Sequence, residues 1–183
     1  WFLHQQLELP GVDVQGLLQP VYDLLVQSAL EQPSVLVHRD YHSRNLMVLD
    51  SGALGVIDFQ DAVMGPVTYD LVSLLKDCYH KLPLSLIDSL LAEFQSKSVV
   101  LKNETASQLR RWFDLMGLQR HLKVAGIFSR LNLRDGKPRY LKDIPLVMTY
   151  IREVTSQYPE FSDFDAWLDS EVMPQLASEL FQR

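Results

Sequence analysis

The chain has 183 residues, of which 47% are apolar and 22% charged, with a formal net charge of −6. That is enough chain for one domain with a proper core, or for one lobe of a larger protein. The acidic balance argues against a nucleic-acid partner, which requires a basic surface. No apolar run approaches the roughly 18 residues of a membrane span, so no membrane partner is expected.

In chain order, "VDVQGLLQPVYDLLVQSAL" (12–30) has apolar residues at the 3.6-residue spacing of an amphipathic helix, with Pro20 predicting a short first piece or a kink. Short Val- and Leu-rich runs at 35–38, 46–49 and 54–57 read as strands. From Thr68 the pattern turns helical. Ser85 with Asp88 reads as a capping box opening a helix over 86–97, and Ser162 with Asp165 as another opening 163–181. A long helix at roughly 105–133 and a shorter one at 142–156 lie between them, separated by "RDGKPRY". In the long helix Phe113, Leu115, Leu118, Leu122, Ala125 and Phe128 form the candidate core face. The fold class is α+β and mainly helical, with a small β-hairpin insertion. The lone cysteine, Cys78, rules out an internal disulfide framework and fits a reducing cytoplasm.

The polar groups concentrate in that hairpin. If Ser51-Gly52 is a two-residue turn, Leu46 faces Ile57, Val48 faces Gly55 and Asn45 faces Asp58. Directly opposed residues have Cβ atoms about 4.5–5.5 Å apart, so an amide oxygen and a carboxylate meet at the open end. Two hard oxygen ligands, with positions left over for water and phosphate, suit Mg²⁺. Asp40, five residues before Asn45, reaches the same mouth without being a ligand. This division, two residues for the metal and one carboxylate for the attacking hydroxyl, fits phosphoryl transfer.

"HRDYHSRN" (38–45) resembles the catalytic loop of the protein-kinase-like superfamily, and "VIDFQ" (56–60) its metal-binding D-F-G, with Gln60 in the place of the Gly. The resemblance implies that Asp40 is the base, that Asn45 and Asp58 hold Mg²⁺, and that His38 braces the loop. His42 and Arg44 are either substrate-binding or solvated loop residues. Asp61 either reaches the metal or substrate or caps the next turn.

"DFQDAVMGPVTYDLVSLL" (58–75) leaves no room for the peptide-docking segment of a protein kinase. It is similar instead to the aminoglycoside-phosphotransferase and choline-kinase-type small-molecule kinases. That likeness implies that Asp70 holds the catalytic loop from the start of a helix. Arg39 stands where antibiotic kinases usually carry Gly. "QRHLKVAGIFSRLNLRDGKPRYLKDIPLV" (119–147), "HRDYHSRNLM" and "GPVTYDLVSLLKDCY" resemble bacterial kinases that act on the anomeric hydroxyl of N-acetylmuramate and N-acetylglucosamine in cell-wall recycling. The partners so implied are ATP and a small sugar. Aminoglycoside, choline or homoserine kinases, and a non-catalytic sugar-binding module, are the alternatives.

Trp112, Arg120, His121, Lys123 and Arg130 are candidates for sugar contacts, against the readings of a core tryptophan and a solvated helix face. The cations of the 110–130 stretch, Arg110 and Arg111 among them, outnumber its single Asp114, which favours an acidic or neutral sugar over a polycation. No Gly-rich loop and no V-A-I-K-like lysine strand occurs. The chain also begins at Trp1 rather than Met. The expectation is therefore a C-terminal, substrate-binding lobe whose ATP-covering N-terminal lobe lies outside this sequence.

Overall fold

The structure is a computed structural model, and it describes residues 1–9 and 11–177. The chain divides into two units, Gln27–Gly117 and Trp1–Val26 with the residues from Leu118 onward. Among the described residues, no helix is long and apolar enough to cross a membrane.

A single π-helical turn, Val14–Leu18, leads into helix α1 (Gln19–Glu31). Pro20 follows directly on this turn and cannot donate the next helical bond, in keeping with the short first piece expected there. Four strands follow: β1 (Ser34–Val37), β2 (Leu46–Val48), β3 (Leu54–Val56) and β4 (Val63–Pro66). They form two separate two-stranded antiparallel sheets, β1 with β4 and β2 with β3. β4 is the element that the sequence pattern does not announce. Its four residues, Val-Met-Gly-Pro, include two that usually punctuate a strand.

The β2–β3 hairpin differs from expectation in register. Leu46 pairs with Val56, Met47 with Gly55 and Val48 with Leu54. The loop is three residues long, not two. Leu49 N–H donates to Ala53 O at 2.9 Å, Gly52 N–H donates to Leu49 O at 2.8 Å, and Gly52 takes φ +78°. A three-residue loop closing on a left-handed glycine is a standard alternative to the two-residue turn. It shifts every pairing by one, so Ile57 N–H donates to Asn45 O at 3.1 Å. Asp58 is not the residue opposite Asn45.

Helices α2 (Tyr69–Leu75), α3 (Leu84–Lys97) and the first half of α4 (Ala106–Leu133) complete the Gln27–Gly117 unit. Val72 and Leu75 of α2, Ile87 and Leu91 of α3, and Phe113 and Met116 of α4 make one core cluster. Val67, Leu101, Leu109 and Trp112 make another. An ion network, buried at Lys76 and Asp114 and opening to the surface at Asp88, lies in this unit. Lys76 Nζ is 3.1 Å from Asp114 Oδ1, and Arg110 bridges from Asp114 Oδ2 at 2.7 Å to Asp88 Oδ1 at 2.5 Å.

The other unit holds the rest of α4, α5 (Ile144–Thr155) and α6 (Ser162–Trp167). The short 3₁₀ stretch Pro138–Asp143 precedes α5. Ile144, Val147, Met148, Ile151 and Val154 are buried, one stripe at helical spacing.

Neither predicted capping box forms. α3 starts at Leu84 behind Pro83 with no side-chain cap, which puts Ser85 inside the helix, and Asp88 is engaged by Arg110. α6 starts behind Phe161, and Asp165 instead binds Arg152, at 2.8 Å, and Thr155. Each of these carboxylates makes a charge-assisted bond to an arginine instead of a bond to a cap N–H. The helix expected over 163–181 is interrupted at Trp167 by a π-helical turn and then a 3₁₀ turn, and its residues 178–181 lie outside the described ones.

One position limits the β1–β4 sheet. A Cβ on Gly65 would lie 2.8 Å from Val37 Cγ2, and Val37 is buried. Gly65→Ala should lower the stability of the chain by about 1–3 kcal/mol. Urea unfolding checks this; an unchanged midpoint would show that Val37 turns aside without cost.

Candidate active site

The segment from His38 to Asn45 leaves the end of β1, and a single carboxylate holds its first residues. Asp70, in the first turn of α2, accepts His38 N–H on Oδ2 at 2.6 Å and Arg39 N–H on Oδ1 at 3.0 Å. Arg39 is thereby kept at φ +77°, a left-handed conformation that favours glycine. This is the physical reason for a Gly between the His and Asp of the motif. Here arginine accepts the strain, with Nη1 3.4 Å from Asp61 O.

His38 ties the loop to the strand that leads into Asp58. Its Nε2 donates to Ile57 O at 2.9 Å, which fixes the tautomer, and its ring packs edge-on to Tyr41. The next residue, Asp58, is also left-handed, at φ +67°. Its carboxylate is exposed, and Oδ1 accepts Gln60 Nε2 at 2.7 Å. Gln60 does with its side chain what glycine could not, steadying the acid two residues before it.

Asp40 and Asn45 are joined across the loop. Asn45 Nδ2 donates to Asp40 O at 2.9 Å, His42 N–H donates to Asp40 O at 3.0 Å, and Asn45 N–H donates to His42 O at 2.9 Å. The Asp40 carboxylate is left exposed. With the amide nitrogen of Asn45 committed to a carbonyl, its oxygen remains available as an acceptor. Asp58 offers carboxylate oxygens of the same hard kind. A pair of such ligands is what Mg²⁺ uses when water and phosphate complete its shell. Among the described residues, no group of three His, Cys, Asp or Glu is placed to cage a metal by itself.

The remaining sequence candidates separate by location. His42 and Arg44 both face Tyr79. The Arg44 guanidinium lies 3.4 Å from the ring centroid, and the His42 ring is edge-on at 6.4 Å. Burial pushes the Tyr79 phenol up to about 12, with Cys78 adding to the rise and Arg44 opposing it. Asp61 is exposed. Trp112 is only 3% exposed and packs with Val67, Leu101 and Leu109, so its ring face is not offered to a ligand. Arg120, His121, Lys123 and Arg130 belong to the other unit. There His121 is buried and stacks on Tyr150 at 4.7 Å, whereas Lys123 is exposed.

Arg110 is engaged by Asp114 and Asp88, so it drops out of the cation excess that favoured an acidic sugar. Two residues that pattern reading did not single out also touch the loop, Asp77 through Ser43 and Tyr79 through His42 and Arg44. Both lie in "KDCY", the end of the stretch "GPVTYDLVSLLKDCY" that carries part of the resemblance, but nothing in spacing singles them out.

Removing the Asp70 carboxylate leaves two loop amides unpaired and the Arg39 strain unopposed. Asp70→Ala should cost about 1–3 kcal/mol. It should also speed amide exchange at residues 38 and 39, measured by hydrogen exchange and urea unfolding. Unchanged protection there would mean that the β1–β4 sheet alone holds the loop.

Known proteins resemble this chain closely. A family model described as the phosphotransferase enzyme family matches residues 2–113. The N-acetylmuramate/N-acetylglucosamine kinase of Pseudomonas putida is 46% identical over 89% of this chain and 49% of its own length. The protein of the same name from Pseudomonas aeruginosa is 42% identical, covering 96% and 52%. That from Neisseria meningitidis serogroup B is 43% identical, covering 92% and 51%. The chain thus spans about half the length of the curated relatives it matches. By the extent of the family match and the identity to these relatives, the chain belongs to the phosphotransferase enzyme family.

Proposed function

We propose that this chain is the catalytic-loop and substrate-binding part of an ATP-dependent small-molecule kinase. The acceptor is a hydroxyl of N-acetylmuramate or N-acetylglucosamine, the anomeric one, and the setting is the recycling of cell-wall sugars in the cytoplasm. The observation that carries the reading is the loop itself. Asp40 and Asn45 are linked across it, Asp58 follows the residue that His38 binds, and Asp70 fixes the start. The names of the Pseudomonas and Neisseria relatives supply the acceptor.

In this reading Asp40, exposed at the loop, orients the sugar hydroxyl and takes its proton. Asn45 Oδ1 and Asp58 hold Mg²⁺, whose charge offsets that of the ATP phosphates during transfer. His38 keeps the base and the metal carboxylate at a fixed separation through the Ile57 carbonyl. Arg39 and Asp70 set the direction in which the loop leaves β1.

The ATP-covering lobe is assigned to a part of the protein outside this sequence. Two things support that assignment besides the missing glycine-rich loop. The curated relatives are about twice as long. The hairpin region also leaves Leu36, Met47, Val48, Leu54, Phe59 and Met64 at least half exposed, an unusually apolar surface to face water.

The test uses a full-length protein carrying this chain, with ADP release followed under Mg-ATP. N-acetylmuramate, N-acetylglucosamine, kanamycin, choline and homoserine are offered as acceptors. The amino sugars alone should turn over. Asp40→Asn should lower kcat by about 10²–10⁴-fold without loss of fold, and Asn45→Ala or Asp58→Ala should raise the Mg²⁺ needed or abolish turnover. Turnover of another acceptor overturns the substrate, retained activity in Asp40→Asn removes the base, and no turnover of any acceptor leaves a sugar-binding module.

A further inference from the structure

The catalytic loop has a second half, and Asp70 does not reach it. The bonds from Asp70 stop at Arg39, yet Asn45, the proposed metal ligand, lies six residues further on. Between them the Ser43 hydroxyl donates to Asp77 Oδ2 at 2.8 Å. Asp77 is 6% exposed, and its other oxygen accepts Tyr79 N–H at 3.1 Å, so the carboxylate is held in place by its own chain. The side chains on either side of Ser43 meet the same segment, since His42 and Arg44 both contact the Tyr79 ring.

We propose that Asp77 is a positioning residue for phosphoryl transfer, acting through Ser43 to set where Asn45 presents its oxygen. The inference rests on the kinase reading above.

The physical basis is the helix between the two acids. Asp70 sits in the first turn of α2, and Asp77 lies just past its last residue, Leu75. Seven residues of α-helix span about 10 Å. α2 therefore acts as a rigid spacer that grips the loop at both ends. Its own place is fixed by Val72 and Leu75 in the core and by Lys76 on the buried Asp114.

The loop between the two grips is short, with Asn45 N–H bonded to His42 O and the Asn45 amide bonded to Asp40 O. A shift at Ser43 is therefore passed to the base and to the ligand together. The alternative is that Asp77 only shapes the turn into Tyr79, for which the bond to Tyr79 N–H would suffice. That alternative gives Ser43 no role. Its side chain is solvent-exposed, and water could satisfy its hydroxyl. Ser43→Ala thus separates the two.

The experiment has two arms. In the full-length protein, Ser43→Ala and Asp77→Asn should lower kcat about ten- to a hundredfold, as a displaced catalytic group does. Both should also raise the Mg²⁺ concentration for half-maximal rate. The KM for the amino sugar should be preserved in both, and the melting temperature in Ser43→Ala. Ser43→Thr, which keeps the hydroxyl, should restore most of the rate.

In the 183-residue chain, amide exchange at residues 42–45 should quicken in both variants while residues 38 and 39 stay protected by Asp70. If the unsubstituted full-length protein phosphorylates no amino sugar, the kinase reading fails, and the exchange arm alone judges the anchor. Unchanged exchange at 42–45 overturns it, as does a Ser43→Ala enzyme with full kcat. Faster exchange confined to 42–45 supports it.

Discussion

The way the candidate loop leaves β1 depends on one carboxylate accepting two adjacent backbone amides. Holding a non-glycine residue such as Arg39 in the left-handed region costs about 1–2 kcal/mol. A hydrogen bond to a charged group returns about 1.5–3 kcal/mol. Two such bonds from Asp70 therefore more than offset the strain, and one alone would barely do so. The strain is also informative, since such backbone outliers persist where the surroundings over-determine them. Of the two non-glycine outliers nearest the proposed chemistry, Arg39 immediately precedes the proposed base and Asp58 is a proposed metal ligand.

Asp70 can perform this task only if α2 does not move, and α2 is short. Seven residues are too few for a helix to be stable by its own hydrogen bonds. Its stability comes from Val72 and Leu75 in the core and from Lys76 at its C-terminal end. Lys76 is nearly fully buried, so its ammonium must be paired; Asp114 supplies the partner and is shared with Arg110. Taking away one member of such a group leaves a buried charge uncompensated, which is far more damaging than losing a surface pair. The network belongs to the scaffold that holds α2, and it takes Arg110 out of the cations counted toward a sugar.

How much could be read beforehand follows from which interactions are local in sequence. Periodicity locates α4 to within a residue or two, and its expected core residues Phe113, Leu115, Leu118, Ala125 and Phe128 are buried. Leu122 is only partly so. The loop residues His38 to Asn45 and Asp58 are legible because the motif is contiguous.

What depended on tertiary partners was not legible. Asp88 and Asp165 sit where caps are expected, but arginines distant in sequence claim them. β4 is a strand only because β1 is there to pair with it. The hairpin register turned on whether Asp50 belongs to the loop or to the strand. Gly52 in the left-handed region selects the longer loop, and the pairing of Asn45 with Asp58 is lost with it. Trp112 could be assigned to core or ligand only once Leu101 and Leu109 were seen around it.

The two small sheets have a consequence for how this polypeptide behaves at high concentration. With two strands each, every strand keeps one side whose backbone groups have no neighbouring strand. The sequences Ser-Val-Leu-Val, Leu-Met-Val, Leu-Gly-Val and Val-Met-Gly-Pro contain no charged residue, and Pro66 is the one residue among them that blocks pairing. Lysines and inward-pointing charges are the usual guards against strand addition between molecules, and here they are missing. Leu36 and Val48 are each more than 70% exposed on these ribbons, so the same stretches are adhesive as well as open. A chain with unguarded ribbons of this kind is a template for edge-to-edge aggregation, and its solubility rests on whatever comes to lie over β1 to β4.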